Sequence, residues 1–345
     1  MPATQNCGGV TGAGCGASAS EYATANTSGS LPGTMAPEMK SGAATTPGIE
    51  ATNLGKQYGN QTALADLNLR VERGEVYGLI GPNGAGKTTT MRLLLDLIRP
   101  TAGSVRVLGR EPRSGGAALR RRLGYLPGEL HLGSRATGRQ LLTHLADLSG
   151  GVKAGAIDRL AERLGLALDR PLHTLSKGNR QKAGLIQAFM HEPELLILDE
   201  PTSGLDPLLQ QEFRRLVREA QNNGQTVFLS SHVLAEIEQL ADRAGVLQQG
   251  RLIRSGSVSS LRAGSRRHVR AVLSGRTEGL EAVERLPGVK HVHVREAEET
   301  VVEVLVEGSL DALVKLLAAH EVRDLLISEP VLEDAVLDLY REDAA

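Results

Sequence analysis

The chain has 345 residues with 39 basic and 40 acidic side chains, enough length for two or three cores and no basic field to attract nucleic acid. Aromatic residues are 2% of the total with no tryptophan, which argues against a base-stacking surface. No apolar run nears the ~18 residues that span a bilayer, no charged start with an apolar core marks a signal peptide, and Cys7 and Cys15 share one low-complexity stretch, so cytosol is the default compartment.

Residues 1–47 are dominated by Gly, Ala, Ser and Thr, with only Glu21, Glu38 and Lys40 charged. Too few apolar side chains are present to offset ordering entropy, which predicts a disordered extension without a catalytic role. From Gly48 the texture changes. Leu64, Leu67, Leu69 and Val71 alternate as a strand does, Val76 to Ile80 form a short apolar strand, and Lys87 to Ile98 predicts a helix stopped at Arg99-Pro100. Helical patterns fill about 135–190, followed by a buried strand at Leu195 to Leu198 and a helix near Leu208 to Gln221. A strand at Thr226 to Ser230, a helix at Val233 to Leu240 and a hairpin over Val246 to Ile253 close this part. Alternating strands and helices predict a mainly parallel sheet covered on both faces. Ala263 to Arg267 reads as a linker. Beyond it a strand–helix–strand–strand–helix–strand order predicts a small ferredoxin-like α+β module, with a last helix near Pro330 to Arg341.

Gly81-Pro-Asn-Gly-Ala-Gly86-Lys87-Thr88 fits the G-x-x-x-x-G-K-[ST] phosphate loop, and it stands between a strand and a helix as that motif requires. Gly84 and Gly86 permit close turns whose N–H groups converge on phosphates, and the helix N-terminus adds a positive dipole end. Lys87 then supplies charge to the β- and γ-phosphates, and the Thr88 hydroxyl a Mg²⁺ ligand. Asp199 and Glu200 follow a buried strand, at the strand end where ligands bind in such sheets. Acids ending an apolar strand are common in any α/β sheet. Their place half a domain after the phosphate loop favours the nucleotide reading, with Asp199 holding Mg²⁺ through water and Glu200 polarising an attacking water.

Leu175-Ser-Lys-Gly-Asn179, Asp199-Glu200-Pro201, Ser203-Gly-Leu-Asp206 and Ser230-Ser-His232 stand in order after the phosphate loop. The ordered set resembles the nucleotide-binding subunit of an ATP-binding cassette (ABC) transporter over about Ile49 to Leu261. That resemblance implies a P-loop α/β ATPase fold with a helical subdomain, MgATP as ligand, and ATP hydrolysis coupled to transport. It implies ATP contacts from Tyr58 as the base-stacking aromatic and from Gly81, Pro82, Asn83, Gly84, Ala85, Gly86, Lys87, Thr88 and Thr89. Ser176, Gly178 and Asp206 would complete the site from a second copy of the chain. Glu200, His232 and Lys87 would be catalytic, with Thr88, Asp199 and Glu129 on the metal.

Two departures stand out. Lys177-Gly178-Asn179 replaces the usual Gly-Gly-Gln of the signature. Gly128-Glu129 stands where the family has a glutamine that touches the metal, so either Glu129 substitutes or the metal contact is weakened. Both variants, and the run Pro330 to Asp334 before Leu339-Tyr340, resemble a bacterial subset of type-2 exporters that includes antibiotic-efflux ATPases. The expected assembly is a homodimer through the nucleotide sites, docked on a separate integral-membrane permease at the inner face of the cell membrane, with no nucleic acid partner. The expected organisation is 1–47 tail, 48–262 ATPase domain and 268–345 accessory domain.

The alternatives are an importer ATPase, a soluble cassette protein acting on ribosomes or DNA, and a nucleotide sensor without turnover. Ribosome-type proteins carry two cassettes and this chain has one. DNA-repair types insert long coiled coils between the phosphate loop and the signature, and no sustained heptads lie there. Glu200 and His232 speak against a sensor without turnover.

Overall fold

The computed structural model describes residues 46–130, 135–262, 267–275, 279–296, 299–328 and 332–342. The predicted tail up to residue 45, most of the predicted linker and the Pro330-Val331 pair lie outside the described residues. In chain order the first part runs β1 (Ile49–Tyr58), β2 (Gln61–Val71), β3 (Val76–Ile80), α1 (Lys87–Leu94), β4 (Ala102–Val107), α2 (Pro112–Arg120) and β5 (Leu123–Leu126). A helical segment follows, with α3 (Gly138–Leu148), α4 (Ala156–Leu164) and α5 (Lys177–Phe189). The chain then returns through β6 (Leu195–Asp199), α6 (Pro207–Asn222), β7 (Thr226–Ser231), α7 (Leu234–Leu240), β8 (Arg243–Gln248), β9 (Arg251–Ser257) and α8 (Val258–Arg262).

Six strands form the central sheet in the order β5-β6-β7-β3-β8-β9. All neighbours are parallel except the β8–β9 hairpin. Every residue of β3, β6 and β7 is buried, which is why these strands read as unbroken apolar runs. Their side chains still alternate between two cores. Val76, Ile80, Leu196, Leu198, Val227 and Leu229 join a cluster with the helices. Tyr77, Leu79, Leu195, Ile197 and Phe228 join another with α1 and a second sheet.

That second sheet is antiparallel, in the order β2-β1-β4. The alternation of β2 was readable, but its partners β1 and β4 were not, because their exposed and buried residues do not keep a clean period of two. α1 ends at Leu94, four residues before the predicted stop, where Asp96 adopts a left-handed φ of 57°.

Beyond the cassette come β10 (Arg267–Ser274), β11 (Val289–Glu296), β12 (Glu299–Val306), α9 (Asp311–Leu317) and β13 (Val322–Ser328). They form an antiparallel sheet in the order β11-β12-β10-β13, the strand order of a ferredoxin-like module. The first predicted helix of this module is a short 3₁₀ turn at Leu280–Arg285. The module has its own core, including Val269, Leu273, Val283, Val304 and Leu313.

The last helix, α10 (Leu332–Glu342), belongs elsewhere. Leu332 and Val336 are fully buried in the cassette core, in one cluster with Ile237, Leu240, Val258 and Leu261 of α7 and α8. The stretch expected as one accessory unit over 268–345 is thus a module followed by one helix of the cassette core. An i, i+4 apolar stripe does not specify which surface it covers, so sequence spacing alone could not tell the two cores apart. Half-buried Tyr340 packs against the same cluster, and burial pushes its phenol up to about 12. An unfolded tyrosine titrates near ~10. The raised value therefore contributes stability that is full below about pH 10 and is lost as pH rises through the folded value. Urea unfolding at about pH 9 and about pH 11 should show this loss in the parent chain and a smaller one in Tyr340→Phe; equal losses in both would remove the phenol from the account.

Candidate nucleotide-binding site

The phosphate loop leaves β3 at Ile80 and becomes α1 at Lys87. Gly86 caps this helix with φ 111°, and a Cβ there would sit 2.8 Å from the Ala63 carbonyl and 2.7 Å from Leu64. Only glycine fits both the conformation and the space. Lys87 is buried, its Nζ donating to the carbonyl oxygens of Gly81 at 2.6 Å and Pro82 at 3.3 Å. The lysine thus spans the loop it must serve.

Asp199 closes the floor. Its Oδ2 accepts from the Thr88 hydroxyl at 2.7 Å and its Oδ1 from the Ser230 hydroxyl at 2.7 Å. Ser230 Oγ in turn accepts from the Glu200 backbone N–H at 3.0 Å. Glu200 has a positive φ of 49°, a conformation costly for a side chain with a Cβ. The turn is held from the helical segment as well, where buried Gln181 of α5 donates to the Pro201 carbonyl at 3.0 Å. At the side-chain end, Glu200 Oε2 lies 2.6 Å from His232 Nδ1. Glu200 Oε1 is buried and accepts no hydrogen bond, with Lys87 Nζ the nearby cation at 3.4 Å.

A cleft of about 360 Å³ opens over these groups, lined by Tyr58, Gln61, Pro82 to Gly84, Gly86 to Thr89, and Glu200, while Gly81 and Ala85 do not line it. Tyr58 is 46% exposed, free to stack on a ring. The Lys56 ammonium covers its ring at 4.9 Å from the centroid and also donates to the Arg99 carbonyl. Tyr58, Gly84, Lys87, Thr88 and Glu200 thus meet in one cleft, as the sequence predicts, and Asp199 and His232 adjoin them.

Ser176, Gly178 and Asp206 do not line this cleft. Ser176 caps α5, its Oγ accepting from the Asn179 N–H, and Asp206 caps α6 by accepting from Leu209 N–H. Gly178 packs so close to the Ser203–Asp206 turn that a Cβ would lie 3.0 Å from the Gly204 carbonyl. Gly128 lies against Asp199, where a Cβ would be 3.4 Å from its carboxyl carbon. Glu129 is exposed. Two residues escaped sequence reading as site members. Ser230 stood in a quoted motif without a role, and Gln181 was readable only as a polar residue on an otherwise apolar helical face.

A family profile described as ABC transporter matches residues 64–203. The bacitracin transport ATP-binding protein BcrA of Enterococcus faecalis is 42% identical over 64% of this chain and 72% of its own length. The daunorubicin/doxorubicin resistance ATP-binding protein DrrA of Streptomyces peucetius is 34% identical over 85% of this chain and 92% of its own. The chain belongs to the ABC transporter ATP-binding family. Among solved structures, the ATP-binding subunit of an ABC transporter superposes with a TM-score of 0.59 and 32% identity over 63% of this chain and 92% of its own. The cassette therefore binds ATP and hydrolyses it to power transport. No helix among the described residues is long and apolar enough to cross a membrane.

The hydroxyl of Ser230 organises this cassette's acidic floor from two sides. Ser230→Ala would leave a buried carboxylate oxygen and a half-buried backbone N–H without their partner, at a cost of about 1–3 kcal/mol. Urea denaturation should read a stability loss of that size, and an unchanged midpoint would mean that the floor does not depend on this hydroxyl.

Proposed function

We propose that this chain is the ATPase subunit of a drug or antibiotic exporter, working as a homodimer on a separate permease at the inner membrane face. The observation that carries the hydrolytic part is Glu200. One carboxylate oxygen is held by His232, and the other is buried, accepts no hydrogen bond and lies 3.4 Å from the Lys87 ammonium of the phosphate loop. A carboxylate so placed can take a hydrogen bond from a water aimed at the γ-phosphate. The subunit and cargo assignments rest on the relatives named for bacitracin transport and for daunorubicin/doxorubicin resistance.

ATP would stack its base on Tyr58 and lay its phosphates along Gly81 to Thr89, with Lys87 turning from the Gly81 and Pro82 carbonyls to the β- and γ-phosphates. The donor set at the floor suits a hard divalent cation, since Thr88 and Asp199 offer oxygen ligands and Gly128 leaves room beside them. Thr88 and Asp199 would hold Mg²⁺, with Glu129 as the neighbouring candidate, and the ion would neutralise charge on the phosphates. Glu200 orients the water and His232 fixes the carboxylate. Ser176 and Gly178 at the start of α5, with the loop ending at Asp206, would face the γ-phosphate bound by the other copy. Closure of the dimer then requires ATP, and loss of the γ-phosphate reopens it.

Glu200→Gln keeps the shape of the side chain but removes the group that polarises water, so ATP should bind without turnover. In size-exclusion chromatography this variant should run as a dimer with ATP and as a monomer with ADP. Adding Ser176→Arg should abolish the dimer by placing bulk and misplaced charge at the contact. A Glu200→Gln chain that stays monomeric with ATP, even beside its permease, would rule out the two-copy site. For Glu129, replacement by Ala in cells carrying the permease should reduce export more than it reduces ATP binding; unaltered export would assign the metal-side role to the Gly128 backbone.

A further inference from the structure

A second concave site lies on the other side of the antiparallel sheet's edge. β4 is the outer strand of that sheet, so part of its backbone has no strand partner. One cleft of about 430 Å³ runs along Ser104 to Arg106 and the segment from Gly109 to Gly115, with Arg106 and Arg110 in its wall. Another, of about 230 Å³, is walled by Arg99 and Arg113. The two clefts meet at Ser104, Val105 and Glu111. Neither shares a lining residue with the nucleotide cleft.

The charge at this place is unlike that of the whole chain. Net charge overall is -1, yet four guanidiniums here face only the carboxylates of Asp96 and Glu111. Other arginines do pair with carboxylates, as Arg122 does with Glu194 and Arg163 does with Glu212 and Glu219. Arg99, Arg106, Arg110 and Arg113 are exposed, and none of their side chains pairs with a described residue. Glu111 and Asp96 share the clefts without neutralising them. Two conformational features fix the walls. Asp96 holds a left-handed φ of 57°, and Gly103, with φ of 74°, allows close approach to the Asn53 backbone, while Gly109, with φ of 79°, allows close approach to the Thr46 side chain.

From this we infer that the paired clefts bind a phosphate-bearing anion with more than one phosphate or phosphodiester oxygen cluster to offer. Planar guanidiniums match phosphate oxygens in forked pairs of hydrogen bonds, and four of them around one rim favour a multiply charged ligand over a single carboxylate. The same chemistry is found on a free polyphosphate and on an anionic phospholipid headgroup. The inference is independent of the nucleotide mechanism, because no residue is shared with it.

The test uses the full chain saturated with ATP and Mg²⁺ in the Glu200→Gln background, so that the nucleotide cleft is filled. Inorganic tripolyphosphate is titrated calorimetrically, and vesicles of phosphatidylcholine with and without phosphatidylglycerol are sedimented with the protein. Arg106→Glu with Arg110→Glu is the disabling pair, Arg99→Gln with Arg113→Gln a milder one. Arg254→Glu, an exposed arginine without a described partner on β9, controls for general charge. Saturable tripolyphosphate binding that weakens about tenfold or more in the disabling pair, but stays within about twofold in the control, supports a free phosphoanion. Phosphatidylglycerol-dependent sedimentation with the same variant pattern, and no tripolyphosphate binding, supports the headgroup. Absence of both, or equal losses in the disabling pair and in Arg254→Glu, overturns the site.

Discussion

The carboxylate of Asp199 is the constraint on which the cassette's chemistry depends. It is almost fully buried and is held by hydroxyls from two other elements, Thr88 on α1 and Ser230 on β7. A buried carboxylate without such partners would cost several kcal/mol, since desolvation penalises the charge. With them, α1, β6 and β7 are locked at one height, and the phosphate loop is held over the ends of the strands. The parallel register supports the same arrangement, with Asp199 opposite Ser230.

Glu200 follows directly, and its geometry is a consequence of that lock. Asp199 completes β6 with its side chain turned to the floor, so the next residue must redirect the chain within one step. It does so at φ 49°, which costs of order 1–3 kcal/mol for a residue other than glycine. Three contacts hold the turn in place, from Ser230 to the Glu200 N–H, from Gln181 to the Pro201 carbonyl, and from His232 to the carboxylate. Gln181 sits on the same helix that Ser176 caps. A shift of α5 therefore bears on the Glu200 turn through one hydrogen bond, which links the helical segment to the acidic group without any contact through the nucleotide.

The C-terminal part obeys a different rule. Its four-stranded module has its own core, with alternating Val302, Val304 and Val306 buried on one face. α10 then returns to α7 and α8, burying Leu332 and Val336 beside Ile237 and Leu240. α7 begins two residues after His232. The module is thereby joined at both ends to helices of the ATPase core, and α10 supports the helix that follows His232.

Much of this was legible in the chain itself. The glycines and Lys87 of the loop, the buried strands read at Val76 to Ile80 and Leu195 to Leu198, and the acids after the second strand follow from local chemistry, because a phosphate cradle needs residues of fixed type at fixed spacing. The order of elements in the ferredoxin-like module was legible as well, apart from its first helix, which is a 3₁₀ turn, since each element has its own short-range periodicity. The pairing of β1 and β4, the early stop of α1 and the roles of Ser230 and Gln181 were not. Each depends on a contact between residues far apart in sequence, and a serine or glutamine carries no local sign of what will be packed against it. Nor could the sequence separate α10 from the module before it, because an apolar stripe records how much surface must be covered and leaves the choice of surface to the tertiary fold.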